Sequence, residues 1–585
     1  MAENPPNTSE KKAVGLGIET VEVSNSDLSR EGSDPELARA RLTRTTTVVD
    51  YDVDLAEAAE EAEKEMSFKN AIIADKRLIW YSLGFSGTII MEGYGFALIT
   101  YLFSFPVFNK KYGEFDVVKQ DYEIRYIWKV LLPLVAQFGS LIGVFLCSFL
   151  TSKFGYKYAT MGMLVLLAAT ICVTFFAESV QMLSIGFLLQ GIPWGVFQVA
   201  SPGYASEIAS LQLRPILTTW TNLCWVIGQL MASAIVKGFQ KYPGDLSFRI
   251  PFALQWAFIA LLLIIVFFAP ESPYWHLQKK KGTNQVQNAR LAIKKIVRTG
   301  DPEKVEAKLA LMQHAIHQER KKQAPDAPGF KGKLGRFVGM FRGVDARRTE
   351  IACMAWLIQS MCGSSIIPWA PKLFEGAGLD PSQALSINIA LPAAGILGTL
   401  GSWGLMRKWG HRAIYFWGLL VMALLLTGCG LASLAPDSIA GWIAGGILAA
   451  FTLIYDLTIG PVCYSIVSEM PSIRRRAQTL SAARGTYLLA GLINHFLTPK
   501  MVGSDSDSWN WGSKTGFLYA GICAIAAVYT FYRIPDTSEI STRELDILFQ
   551  HKVKSREFCS QRAKDLDEDL QNRWSENRIF PVAQP

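Results

Sequence analysis

Four ionisable side chains fall inside long apolar stretches of this 585-residue chain: Glu92, Asp456, Arg484 and His495. An ionised group in hydrocarbon costs at least about 2.5–3.5 kcal/mol, so each calls for a partner or a task. A carboxylate in such a place can carry a proton, and a carboxylate beside a guanidinium can form a self-neutralising pair. Asp456 lies nine residues before the expected end of its stretch at 465, and Arg484 six residues after the start of the next at 478. At 1.5 Å per residue their depths differ by only about 5 Å. An Asp456–Arg484 ion pair is therefore expected, with a proton-linked or substrate-linked role as the alternative. No metal chemistry is expected: His314 and His317 stand three residues apart without a further Cys or His nearby, and no CxxC occurs. No Ser/His/Asp arrangement lies in a soluble region, so an enzyme is not expected, and no cofactor is.

The elements that must position these groups are membrane helices. Only 18% of the residues are charged, against about 25% in soluble proteins. Apolar segments run over 78–108, 127–150, 159–177, 181–204, 217–237, 250–269, 351–371, 385–406, 413–434, 439–465, 478–498 and 514–533. Each is long enough to cross about 30 Å of hydrocarbon. The expected fold is an all-α membrane protein of twelve transmembrane helices. Residues 1–75 read as a disordered tail, 76–270 as a first bundle, 271–350 as a central loop with short helices, 351–534 as a second bundle, and 535–585 as a C-terminal tail. The central loop carries Lys279, Lys280, Lys281, Lys294, Lys295, Arg320, Lys321, Arg347 and Arg348, among others. Connections on the same side carry Lys153, Lys157, Arg214, Arg407, Lys408, Arg412, Arg474, Arg475 and Arg476. By the positive-inside rule, both termini and this loop are cytoplasmic. The net charge of +8 is thus a matter of topology, and no nucleic-acid partner is expected. Gly139, Gly143, Gly395 and Gly398 have small-xxx-small spacing that suits helix packing.

The two halves repeat one another. Ser152-Lys153-Phe154-Gly155-Tyr156-Lys157 pairs with Arg407-Lys408-Trp409-Gly410-His411-Arg412, an offset of 255 at the glycines. Glu207 with Arg214 pairs with Glu469 and Arg476 at 262, and Pro270-Glu271-Ser272 pairs with Pro535-Asp536-Thr537 at 265. Three motifs in order at nearly one offset imply a duplicated six-helix unit. Two such pseudo-symmetric halves suit a rocking carrier with its site between them.

These motifs resemble the major facilitator superfamily, and within it the sugar porters, over about residues 78–550. Pro270-Glu271-Ser272-Pro273-Tyr274-Trp275-His276-Leu277 is similar to the signature after helix six. Pro535-Asp536-Thr537 with Glu544-Leu545-Asp546 is similar to the one after helix twelve. Gly191-Ile192-Pro193-Trp194-Gly195-Val196-Phe197-Gln198, Leu217 to Trp225 and Gly460-Pro461-Val462-Cys463-Tyr464 resemble the fungal α-glucoside, maltose permease-like branch. Its members are proton symporters of the plasma membrane.

The resemblance implies site residues. Sugar-contacting positions fall on Asn222, Gln359, Ser360, Ser365, Tyr464 and Tyr487. Amides and hydroxyls replace water at the sugar hydroxyls, and rings stack on its apolar face. The same polar residues can alternatively bond across helices without touching ligand. Helix seven reads Gln359-Ser360-Met361-Cys362-Gly363-Ser364-Ser365 where hexose porters carry two glutamines and an asparagine, which argues against a glucose specialist. The family's cytoplasmic gate, which clamps the halves when the site faces outward, falls on Lys157, Glu207, Arg214, Glu271, Arg412, Glu469 and Arg476. The usual proton-coupling pair is missing: Gly95 replaces the aspartate after Gly-Tyr in helix one, and Phe187 stands at the partner position in helix four. Three outcomes stay open. Glu92 or Asp456 carries the proton, the protein is a passive facilitator, or it moves something other than a disaccharide; the expectation is that coupling is weak or absent. The expectation is a plasma-membrane transporter of a sugar such as maltose, monomeric, with the bilayer and the sugar as partners and protons left open as a third. An exporter of a metabolite or glycoside and a non-transporting sugar sensor are the rivals.

Overall fold

The computed structural model describes residues 68–558, plus a few positions on either side, apart from 117–120, 211–212, 241, 243, 279–283, 298–300, 323–338, 371–380, 435–436, 472–475, 504–507, 539 and 541. The proposed N-terminal tail lies almost wholly outside the described residues, as do the last residues of the C-terminal tail.

Each expected crossing is a helix. The first half contains α1 (Lys76–Tyr101), α2 and α3 (the two parts of Tyr126–Phe175 on either side of Gly155), α4 (Val180–Ile208), α5 (Arg214–Phe239) and α6 (Leu246–Phe268). The connector contributes α7 (Pro273–Gln278), α8 (Gln285–Ile296) and α9 (Pro302–Lys322), which share a small core of Leu277, Ile293, Val305 and Leu309. The second half contains α10 (Gly343–Met361), α11 (Pro381–Lys408), α12 (His411–Ala432), α13 (Trp442–Glu469), α14 (Arg476–Val502) and α15 (Thr515–Arg533). Among the described residues, eleven helices are long and apolar enough to cross a membrane. The twelfth crossing, α14, falls short because it carries Arg484, Asn494, His495 and Lys500. The face with the connector is called the loop face below.

Close backbone approach explains the glycines of α2 and α4. A Cβ on Gly195 would collide with the Ser140 carbonyl oxygen, and one on Gly143 with that of Ile192. Such contacts let two helices meet without intervening side chains, which is how helices associate in lipid. Gly195→Leu is expected to prevent this pairing and to remove the monodisperse peak of detergent-solubilised protein in fluorescence-detected size-exclusion chromatography. An unchanged peak would contradict the packing.

The repeated motifs form the same device twice. At the α2–α3 corner Gly155 has φ +86, and the Glu271 carboxylate occupies the place of its missing side chain. Glu271 accepts from the backbone N–H of Tyr156 at 2.8 Å, Lys157 at 3.1 Å and its own neighbour Ser272 at 3.0 Å. Burial raises its pKa above the ordinary carboxylate value, against the opposing pull of those three N–H groups. In the second half the Asp536 carboxylate likewise lies where a side chain on Gly410 would be, with Gly410 at an ordinary φ of −64 and Asp536 Oδ1 accepting from Ser538 N–H at 3.1 Å.

Two helices break where the site lies. α10 ends at Gly363, which has φ +100 and leads into a 3₁₀ turn, Ser364–Trp369. α13 is interrupted at Thr458, just before Gly460-Pro461, because Pro461 has no N–H for the Leu457 carbonyl. Past α15 the described residues up to Phe558 pack against the second bundle. A further helix, α16 (Thr542–Gln550), buries Leu545, Leu548 and Phe549. There Arg347 of α10 donates to the Val553 carbonyl at 2.8 Å and to Ser555 Oγ at 2.7 Å. The loop after α1 holds a short antiparallel hairpin, β1 (Glu114–Asp116) and β2 (Asp121–Glu123).

The halves meet through α5 against α11 and α13, and α2 against α14. Toward the loop face, Trp403 Nε1 donates to Thr219 Oγ1 at 3.0 Å and stacks on Trp220 at 6.0 Å. Toward the opposite face, Tyr126 Oη donates to the Phe496 carbonyl at 3.5 Å, and Phe103 packs on Trp369 at 5.8 Å.

Candidate functional site

Between these two layers the polar groups of both halves converge. Glu92, fully buried on α1, accepts from Gln198 Nε2 of α4 through Oε1, while its Oε2 has no hydrogen-bond partner among the described residues. Gln198 Oε1 in turn accepts from Arg484 Nε of α14 at 2.9 Å. The chain Glu92–Gln198–Arg484 thus crosses from the first bundle to the second. The Arg484 guanidinium lies 4.5 Å from the Trp356 ring centroid and 4.4 Å from that of Tyr487. Trp356 also meets Tyr464 edge-on at 4.8 Å and Tyr487 at 5.0 Å. A planar cation cushioned by aromatic faces gains about 2 kcal/mol when desolvated.

A second cross-bundle group lies beside the break in α13. Asn222 Nδ2 of α5 donates to Asp456 Oδ1 at 2.8 Å and to Thr399 Oγ1 of α11 at 3.3 Å. Gln359 Nε2 donates to the Gly460 carbonyl at 3.0 Å, and Gln359 Oε1 has no partner among the described residues. Gly395 and Gly398 face Asp456, so on α11 they make room for that carboxylate.

The expected Asp456–Arg484 ion pair is therefore corrected. Similar depth did not settle which way the side chains turn: Asp456 is taken by Asn222, and Arg484 reaches toward the first bundle between Trp356 and Tyr487. Asn222, Gln359, Tyr464 and Tyr487 do come together. Ser360 is buried and presents its carbonyl to Asn494 Nδ2 at 2.7 Å. Ser365 stands apart, donating to Tyr519 Oη at 3.0 Å and accepting from Thr498 at 3.2 Å. That network ties the 3₁₀ turn to α14 and α15.

The loop-face charges fall into two sets, one in each half. Lys157 Nζ donates to the Phe267 carbonyl at 2.5 Å, and Glu207 accepts from Tyr156 Oη at 2.8 Å and from Ser272 Oγ. Arg214 opens α5, its Nε without a hydrogen-bond partner among the described residues. In the second half Arg412 donates to the Phe531 carbonyl at 2.7 Å, and Glu469 lies 3.5 Å from His411. Arg476 opens α14, and its side chain lies outside the described residues. These contacts hold the corners within each half.

Gln198, Trp356 and Thr399 were not singled out from sequence. An amide in the middle of apolar α4 was the available signal for Gln198. Tryptophan in an apolar run carries no such signal. The structure places Gly95 against the Trp194 ring, where a Cβ would collide, and leaves Phe187 packed on Phe252 at 6.2 Å. Neither of the usual coupling positions therefore holds a charge. Among the described residues no His, Cys, Asp and Glu cluster has metal-binding geometry.

Two packed bundles with a polar, aromatic centre between them define a membrane carrier, and comparison with known proteins agrees. The chain belongs to the sugar (and other) transporter family, whose model matches residues 83–549. It is 34% identical over 510 residues to the general alpha-glucoside permease of Saccharomyces cerevisiae strain S288c, covering 87% of this chain and 81% of that one. Maltose permease MAL61 of the same species is 34% identical over 511 residues, covering 86% and 81%. The fold matches solved structures of a bacterial xylose transporter. The proton:xylose symporter XylE bound to 6-bromo-6-deoxy-D-glucose gives a TM-score of 0.66 at 20% identity, covering 81% of this chain and 99% of that one. The partially occluded inward-open form from E. coli gives 0.63 at 18%, covering 80% and 100%. The protein is a multi-pass membrane sugar transporter that shares the fold of those solved structures, and it is not an enzyme.

Proposed function

We propose that this transporter brings an α-glucoside such as maltose into the cell across the plasma membrane, by alternating access, with Glu92 carrying the coupled proton. The loop face and both termini are cytoplasmic in this reading, as the distribution of Lys and Arg supports. The observation that carries it is the Glu92–Gln198–Arg484 chain, which joins the bundles beside an aromatic wall. Ionised Glu92 is a pure acceptor and holds the Gln198 amide; once protonated it becomes a donor as well. That change loosens Gln198 from Glu92 and frees Arg484 to meet sugar hydroxyls. Asn222, Asp456 and Gln359 supply further donors and acceptors, and Tyr464, Tyr487 and Trp356 the flat faces on which a pyranose ring stacks. The separated loop-face charges re-form a clamp between the halves when the site faces outward. The α-glucoside substrate is supported by the similarity to the two yeast permeases over more than four-fifths of this chain.

Uptake of radiolabelled maltose, sucrose, trehalose, glucose and xylose by cells lacking their own carriers tests this. Maltose uptake that a protonophore abolishes is expected. Binding without uptake, or movement outward only, would overturn the proposal in favour of a sensor or an exporter.

A further inference from the structure

A disaccharide needs a place for its second ring, and the groups assigned so far were matched to one pyranose ring. One turn beyond Glu92 on α1, about 6 Å, stands Phe96, and three residues beyond Asn222 on α5 stands Trp225. The Phe96 ring lies 5.9 Å from Trp225, 5.0 Å from Trp194 and 6.3 Å from the His495 ring of α14. Phe96 and His495 face each other across the two bundles with planes only 3° from parallel. Trp225 and His495 are half-buried at this depth although packed on Phe96, itself in the core between the helices. No hydrogen bond to either His495 ring nitrogen is found among the described residues. A polar side chain inside a membrane bundle without a protein partner points to a ligand or water as its partner.

We propose that Phe96, Trp225 and His495 hold the second ring of a disaccharide, with His495 as the hydrogen-bond partner that favours disaccharides over single glucosides. This rests on the α-glucoside reading. Phe96 and Trp225 offer apolar faces to the ring, and His495 Nδ1 or Nε2 meets one of its hydroxyls. The outer wall opens when the bundles part, because Phe96 belongs to one and His495 to the other. Selectivity then arises as a site built to bond a hydroxyl penalises a substrate that lacks it.

The test compares maltose with methyl α-D-glucoside, which keeps the first ring and replaces the second by a methyl group. In intact cells expressing the full chain at equal surface abundance, His495→Ala is expected to lower the maltose-to-methyl-glucoside ratio of kcat/KM at least tenfold. His495→Gln, which keeps a hydrogen-bonding group, should restore most of it. Where His495→Ala does not reach the surface, Phe96→Leu reads the same ratio and is expected to lower it. An unchanged ratio in surface-expressed variants, with wild-type uptake of both sugars intact, would overturn the second-ring site alone. Failure of the wild-type chain to move either sugar would overturn the α-glucoside reading and this site with it.

Discussion

Glu92→Gln is expected to reduce accumulation of maltose against its gradient at least tenfold while exchange of internal for external maltose continues. The amide has the shape of the carboxylate, and its carbonyl still accepts from Gln198 Nε2, so the hydrogen bond that joins α1 to α4 survives. What disappears is the proton. Glu92 is fully buried and its Oε2 is unpaired among the described residues, so the carboxylate has an open position for a proton that glutamine lacks. Paired measurements of net uptake and of counterflow in membrane vesicles separate the two activities. Undiminished accumulation by the variant would remove Glu92 from the coupling step.

The second large effect is expected at Arg484. Arg484→Leu takes the donor from Gln198 Oε1, the cation from between Trp356 and Tyr487, and the positive charge from the neighbourhood of Glu92. Removing one member of a buried charged arrangement costs about 3–5 kcal/mol, because the remaining charge is stranded. At tenfold per 1.4 kcal/mol, transport efficiency should fall on the order of 100-fold or more. Arg484→Lys keeps the charge but not the planar stacking surface, so its loss should be intermediate. Initial rates of maltose uptake, normalised to surface protein, measure both. Equal losses in the two variants would show that the charge by itself contributes nothing, and wild-type rates in Arg484→Lys would show that the stack on Trp356 and Tyr487 contributes nothing.

Much of the fold was legible because lipid permits few solutions. Apolar length located the crossings, and the duplicated motifs predicted two matched six-helix halves whose equivalent corners the structure shows. Gly155 with Glu271, and Gly410 with Asp536, are those corners, each a carboxylate seated where a glycine has no side chain. Helical rise likewise put Asp456 and Arg484 at similar depth, but depth is one coordinate of three. Rotation about the helix axis and the reach of a long side chain decide the partner. The break at Thr458 and the Trp356–Tyr487 cushion turned the two groups apart. The resemblance brought Asn222, Gln359, Tyr464 and Tyr487 to the centre, yet Ser365 serves the network of Tyr519 and Thr498. Gln198 entered only as the end of a motif and was given no site role, because a single amide in α4 is an ordinary means of bonding one helix to another. Its two-sided contact, with Glu92 and Arg484, exists only in three dimensions.

The central claim is that a buried carboxylate bridged to the opposite bundle links sugar movement to a proton. Purified protein reconstituted in liposomes loaded with a pH-sensitive dye tests it most directly. Added maltose is predicted to acidify the interior of vesicles containing the wild-type chain and to leave it unchanged in those containing Glu92→Gln. Maltose entry into wild-type vesicles with no accompanying acidification would contradict the account.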